Sequence, residues 1–280
     1  MLLWAWPHCR RYDPGPVLSR RGRASPVIAI PPAALCREID DLAASHEGTA
    51  SFAGSLVGPE DPRPALPADA LLVSPHRSLI HNRFAKRFDQ FDERATHSIW
   101  MKWYLNVVLP PVLLADVCLG RSVAIGLDEV HFVMAEDGRV AAVQIGHESF
   151  QTGEQDPFER LRSLIFDHLA PLIDLLTART KLTRRVCWSN AGNTFEAMLR
   201  RIEQVAGPSR RLAEAQEILA SARWAGGLPN PLAGAIHDRD GVRTRRVCCL
   251  QYRLPDRRFC SACPVPEARP QLSDLTGRSD

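Results

Sequence analysis

The sequence predicts an α+β fold: a mainly helical body with a small antiparallel sheet or hairpin, followed by a C-terminal cysteine-rich module. Three observations predict it. Apolar residues recur at helical spacing over several long stretches, two β-rich runs meet at Asp137-Gly138, and four of the eight cysteines crowd into residues 248–263. At 280 residues with 45% hydrophobic content the chain can bury a substantial core. A net charge of +3 is too small to mark a nucleic-acid binder, which carries a clearly basic domain.

Taken in order, residues 1–30 are rich in Arg, Pro and Gly and are expected to form a disordered tail. Arg20-Arg21 precedes an apolar run, but Pro26, Pro31 and Pro32 interrupt it, so no export signal is expected. From Ala33 to Glu47 the residues Leu35, Ile39, Leu42 and Ala43 keep a helical period, and Gly48 offers a stop. Residues 58–68, with Pro59, Pro62, Pro64 and Pro67, read as a linker or long loop. Leu79, Ile80, Phe84, Phe88 and Phe91 line one face of a further helix.

The clearest helical pattern joins Trp100, Trp103, Val107, Pro111, Leu114 and Cys118, with a kink expected at Pro110-Pro111 and an end at Gly120. His97 reads as a surface or capping residue. Val130 to Ala135 and Val140 to Ile145 form a hairpin through Asp137-Gly138, because glycine accepts the positive φ of the turn. His131 and His147 flank it without a regular ligand spacing.

Asp156 then stands as an N-cap before Pro157, with Glu159 at the third position. Phe158, Leu161, Ile165, Leu169, Leu172 and Leu176 give that helix its buried face, and Pro171 should bend it. Cys187-Trp188-Ser189-Asn190 precede a second expected start at Asn193, and Gly207-Pro208 stops that helix. Ser209 to about Ala222 is amphipathic, and Trp224 to Pro231 is a Gly/Pro turn region before the cysteine module. The expected division is a tail at 1–30, an α+β body at 31–235, a cysteine module at 236–267 and a second tail at 268–280. No run reaches the apolar length of a membrane-spanning helix.

Cys248, Cys249, Cys260 and Cys263 give the pattern C-C-x10-C-x2-C. Four thiolates brought together repel unless a cation holds them, and soft sulfur donors favour zinc or an iron–sulfur centre. Zinc ribbons take two ligands from each of two C-x2-4-C knuckles, and only Cys260 and Cys263 form one. Adjacent residues point apart in an extended chain. Cys248 and Cys249 therefore both ligate only through a local turn or by serving different metals, and a two-iron cluster provides two. Around them stand seven arginines at 239, 243, 245, 246, 253, 257 and 258, against Asp240 and Asp256. Such guanidinium groups offset the negative charge of a thiolate-held cluster, or steer an acidic donor or anionic chelate.

The segment from Arg246-Val247-Cys248-Cys249 to Phe259-Cys260-Ser261-Ala262-Cys263-Pro264 resembles the C-terminal signature of the FhuF family of ferric-siderophore reductases. Trp100 to Pro111, the Asp137-Gly138 hairpin, Cys187 to Ala191 and Asn230-Pro231-Leu232 extend the likeness over roughly residues 95–264. The resemblance implies a [2Fe-2S] cluster on Cys248, Cys249, Cys260 and Cys263, with no catalytic residue beyond it. It implies one-electron reduction of a cytoplasmic Fe(III)-siderophore, of hydroxamate type, releasing Fe(II). The implied partners are the ferric siderophore and an external ferredoxin- or flavoprotein-type donor, with peripheral contact at the inner membrane and no nucleic acid. Candidate docking residues are Arg245, Arg246, Arg253, Arg257, Arg258, Trp188 and Asn190. The absence of a G-x-G-x-x-G motif after a strand agrees with an external electron source. The alternatives are a zinc-stabilised interaction or nucleic-acid module, and a carrier that holds a siderophore or cluster without reducing it.

Overall fold

The longest helix supports the rest of the fold. It is α2, Glu93–Val117; α1 is Pro32–Ala44. The Asp92 carboxylate accepts from the Ala95 N–H at 2.9 Å and so caps α2, which carries Pro110 and Pro111 inside it. Its middle is buried nearly all round, Leu105, Val108, Leu109, Val112 and Leu113 included, as expected of a helix enclosed by other elements. The computed structural model describes residues 31–72, 82–88, 92–146, 150–152, 156–239, 241–255 and 257–266. Leu79, Ile80, Phe91, His147 and both tails lie outside the described residues.

Helices α3 (Pro157–Arg160), α4 (Ala170–Arg179), α5 (Arg184–Ala206) and α6 (Arg210–Ala220) follow. The expected cap at Asp156 is present, accepting from Phe158 N at 2.9 Å, and Ser209 caps α6 by accepting from Leu212 N at 3.1 Å. Between α3 and α4 the chain takes a π-helical turn over Ser163–Leu169, and Pro171 falls in the first turn of α4, where its missing N–H costs nothing. Asn193 is not a cap. α5 starts ten residues earlier, where Thr183 accepts from Val186 N at 3.4 Å, so Cys187 to Asn190 are helical.

Two short strands, β1 (Leu56–Val57) and β2 (Ala65–Pro67), fall in and beside the proline-rich stretch expected to be a loop. They complete a four-stranded sheet in the order β1-β5-β4-β2, around the expected hairpin of β4 (Val130–Met134) and β5 (Val140–Ile145). β1 runs parallel to β5, and β2 antiparallel to β4. Pro67 sits at the end of an edge strand, where proline is tolerated. β3 (Arg121–Val123) pairs with β6 (Phe150–Thr152). A last hairpin, β7 (Ile236–Arg239) and β8 (Val242–Arg245), leads directly into the cysteine segment. Leu254 belongs to the main hydrophobic core, and Val247 and Leu250 pack against it. Among the described residues no helix is long and apolar enough to cross a membrane.

Candidate metal centre

The strand β8 delivers the chain to Cys248 and Cys249, and the backbone ties the second cysteine pair to the same place. The Arg245 N–H donates to the Ala262 carbonyl at 2.9 Å, pinning the end of β8 to the Cys260–Cys263 turn. That turn is closed by the Cys263 N–H donating to the Cys260 carbonyl at 3.0 Å. Directly after the vicinal pair, Leu250 takes φ 64°, the one described non-glycine residue in the left-handed region. This local turn lets adjacent cysteines contribute to one site. The Leu250 N–H donates to Cys248 Sγ at 3.3 Å, and the Gln251 backbone N–H bonds to Cys249. Successive amides aimed at sulfur favour thiolate.

The four thiols fall into two pairs. Cys249 Sγ lies 3.6 Å from Cys260 Sγ, and Cys248 packs against Cys263. Cys249 and Cys260 share a proton, which pushes the Cys249 pKa down to about 5, helped by Lys102 and Arg245, and raises that of Cys260. Burial pushes Cys248 up to about 11. Phe259 and Val265 pack against Cys263. Among the described residues no group of three or more His, Cys, Asp or Glu is arranged to hold one metal ion. An all-sulfur donor set in two pairs, with amides and cations turned toward it, fits a two-iron centre bridged by sulfide.

Two residues that sequence patterning did not single out complete the surroundings. Lys102 Nζ lies 3.9 Å from Cys249 Sγ and donates to Gln251 Oε1 at 2.8 Å. Ser98, one helical turn earlier on the same face of α2, donates through its hydroxyl to the Cys249 carbonyl at 2.7 Å. Four-residue spacing between Ser98 and Lys102 was the available signal, but nothing in it points to a cysteine so distant in sequence.

The candidate docking residues separate into two groups. Arg246 is exposed and lines a cleft of about 290 Å³ with Arg185, the half-buried Trp188, Ser189 and Val247, the residue before Cys248 in the chain. Arg257 and Arg258 are exposed, and Arg253 pairs with Asp92 at 2.6 Å. Tyr252, 41% exposed, packs its ring 5.1 Å from Phe259. Arg245 and Asn190, by contrast, are 1% and 0% exposed and so cannot dock a partner. They bond to each other, the Arg245 guanidinium donating to Asn190 Oδ1, because β8 packs against the first turns of α5. His97 is also buried, its Nδ1 donating to the Glu93 carbonyl at 2.7 Å, and so is not a surface residue.

Comparisons with known proteins agree with this organisation. Residues 98–245 match the family model described as "Ferric iron reductase FhuF-like transporter", and residues 245–264 match "FhuF 2Fe-2S C-terminal domain". A protein of Escherichia coli (strain K12) named "Ferric siderophore reductase" is 29% identical over 169 residues, 60% of this chain and 64% of that relative's length. The aerobactin synthetase IucC of a hypervirulent Klebsiella pneumoniae shares the fold at a TM-score of 0.52 and 13% identity. That likeness covers 72% of this chain and 47% of the synthetase. The cofactor of the cysteine segment is a [2Fe-2S] cluster. A helical body matched over more than half the chain, continued without a break by the cysteine segment, makes this chain a member of the FhuF family.

Proposed function

We propose that this protein is a siderophore-iron reductase, acting in the cytoplasm on ferric siderophores of the hydroxamate type. Cys248, Cys249, Cys260 and Cys263 hold the [2Fe-2S] cluster, with Cys249 and Cys260 on one iron and Cys248 and Cys263 on the other. The observation that carries this reading is the pairing of the four thiols at the end of β8, with Cys249 and Cys260 3.6 Å apart. The division of the chain near residue 236 into a body and a cluster-bearing module belongs to the same proposal.

The cluster, when bound, supplies a one-electron redox centre. The protein's own residues leave Cys248 and Cys260 part-exposed, pack Phe259 against Cys263 and offer a place for the substrate in the cleft lined by Val247, which precedes Cys248 in the chain. In the cleft, the Trp188 ring gives an apolar face and the Arg185 and Arg246 guanidiniums attract the oxygen donors of a ferric chelate. One electron from an external ferredoxin- or flavoprotein-type donor ends on Fe(III). Fe(II) is a poorer partner for hard oxygen ligands, so the chelate releases it. No proton transfer or nucleophile on the protein is required.

The test is to reduce the protein chemically and mix it anaerobically with a ferric trihydroxamate. The visible spectrum should return to that of the oxidised protein while an Fe(II)-specific chelator captures one iron per electron. Protein that stays reduced on mixing would leave it a carrier and not a reductase.

A further inference from the structure

We infer that Arg245 is the buried counter-ion of the cluster and raises its reduction potential. Arg245 is the largest fully buried side chain, at 1% exposure. A guanidinium cannot shed its proton, so burial leaves a full positive charge that needs an opposite charge nearby. Among the described residues no carboxylate pairs with it. Its guanidinium donates to the neutral amide oxygen of Asn190, and its Nε has no partner. A strut between β8 and α5 would need only a neutral donor, so the hydrogen bond accounts for the contact but not for the charge.

What adjoins it is the cysteine segment. Its own N–H is tied to Ala262 inside the Cys260–Cys263 turn. Its partner Asn190 donates through Nδ2 to Ser98 Oγ at 3.0 Å, and Ser98 donates to the Cys249 carbonyl. The side chain is thereby fixed relative to both arms of the cysteine segment. Its charge reaches Cys249 and Cys260. A thiolate-held [2Fe-2S] centre is the negative group that this burial requires. A fixed positive charge in a low-dielectric site stabilises the form with the extra electron, which raises the potential. Lys102, with Nζ 3.9 Å from Cys249 Sγ, acts in the same direction.

The inference rests on the four-cysteine ligand set, and its test separates the two. Redox titration of Arg245→Met, followed by visible absorption, should show at least a tenfold weaker equilibrium for electron uptake than wild type. That is a midpoint lower by about 59 mV. Arg245→Lys should recover most of the shift, Lys102→Met should move the midpoint the same way, and the exposed control Arg239→Met should leave it in place. Loading the cluster should raise the melting temperature of wild type more than that of Arg245→Met. An unmoved midpoint in Arg245→Met, an equal gain in melting temperature, or a variant that fails to fold in either form would make the arginine a structural strut. Absence of a visible chromophore from the wild type as well would instead defeat the ligand set.

Discussion

The Ser98 hydroxyl donates to the carbonyl of Cys249 across 2.7 Å, joining the start of α2 to the vicinal cysteines 151 positions later. The same Ser98 receives the Asn190 amide, so one small side chain on α2 links α5 to the metal segment. Removing it leaves the buried Cys249 carbonyl without its hydroxyl donor and the Asn190 amide with only the Ser98 carbonyl, at 3.3 Å. Ser98→Ala should cost about 1–3 kcal/mol of stability. It should also speed cluster loss in air, followed as bleaching of the visible absorption. Equal bleaching rates would mean that the bond does not hold the cysteines.

The pairing of sulfurs predicts a pattern among serine variants. Cys249→Ser and Cys260→Ser should perturb the same iron in a Mössbauer spectrum, and Cys248→Ser and Cys263→Ser the other. Cys187, buried in α5 with its thiol pushed up to about 12 by desolvation, lies outside the centre. Cys187→Ala should retain the full chromophore. Perturbation of the same iron by Cys248→Ser and Cys249→Ser would reverse the pairing.

His168 predicts an acid limb of stability unrelated to the metal. Buried in the π-helical turn, it donates through Nδ1 to the Ile125 carbonyl at 2.5 Å and bonds through Nε2 to the Tyr104 hydroxyl. Desolvation lowers its pKa from 6.5 to about 4. Between these values the unfolded chain binds a proton that the folded chain refuses, so stability falls as pH drops through 6.5. The loss levels off near pH 4 at about 3 kcal/mol. Urea titrations across this range should show the loss in wild type and a flatter profile in His168→Gln. Identical profiles would rule out His168 as the source.

The cleft lined by Trp188 and Arg246 predicts a kinetic separation. Trp188→Ala and Arg246→Gln should raise KM for a ferric siderophore by about tenfold, the worth of roughly 1.4 kcal/mol of contact. Both should leave the midpoint potential where it is. Unchanged KM in both variants would move the docking site elsewhere, with the exposed Arg257 and Arg258 as the next residues to vary.

The cysteine centre was legible because its spacing is self-contained, and the Trp100 to Cys118 helical pattern and the β4–β5 hairpin because long periodic patterns and Asp-Gly turns are strong local signals, although the turn of α2 before His97 lay outside that pattern. Other features depend on contacts that sequence spacing does not reveal. The strands β1 and β2 are only two and three residues long, too short to display alternation, and exist through pairing with β5 and β4. The turn signal Asp240-Gly241 between β7 and β8 was masked by the surrounding arginines, which read as a patch for docking a partner. That reading failed most plainly at Arg245. Its neighbour Arg246 faces the cleft, whereas the alternation of an extended chain turns Arg245 inward. The start of α5 was misplaced because Asn193 and Glu196 mimic a capping pair, whereas both engage Arg243 of β8.

The most direct measurement is the metal and acid-labile sulfide content of protein purified without oxygen, set beside its visible and paramagnetic-resonance spectra before and after dithionite. Two irons and two sulfides per chain, with a paramagnetic signal that appears on one-electron reduction, are the predicted result. A colourless chain carrying a single zinc would contradict the account at its base.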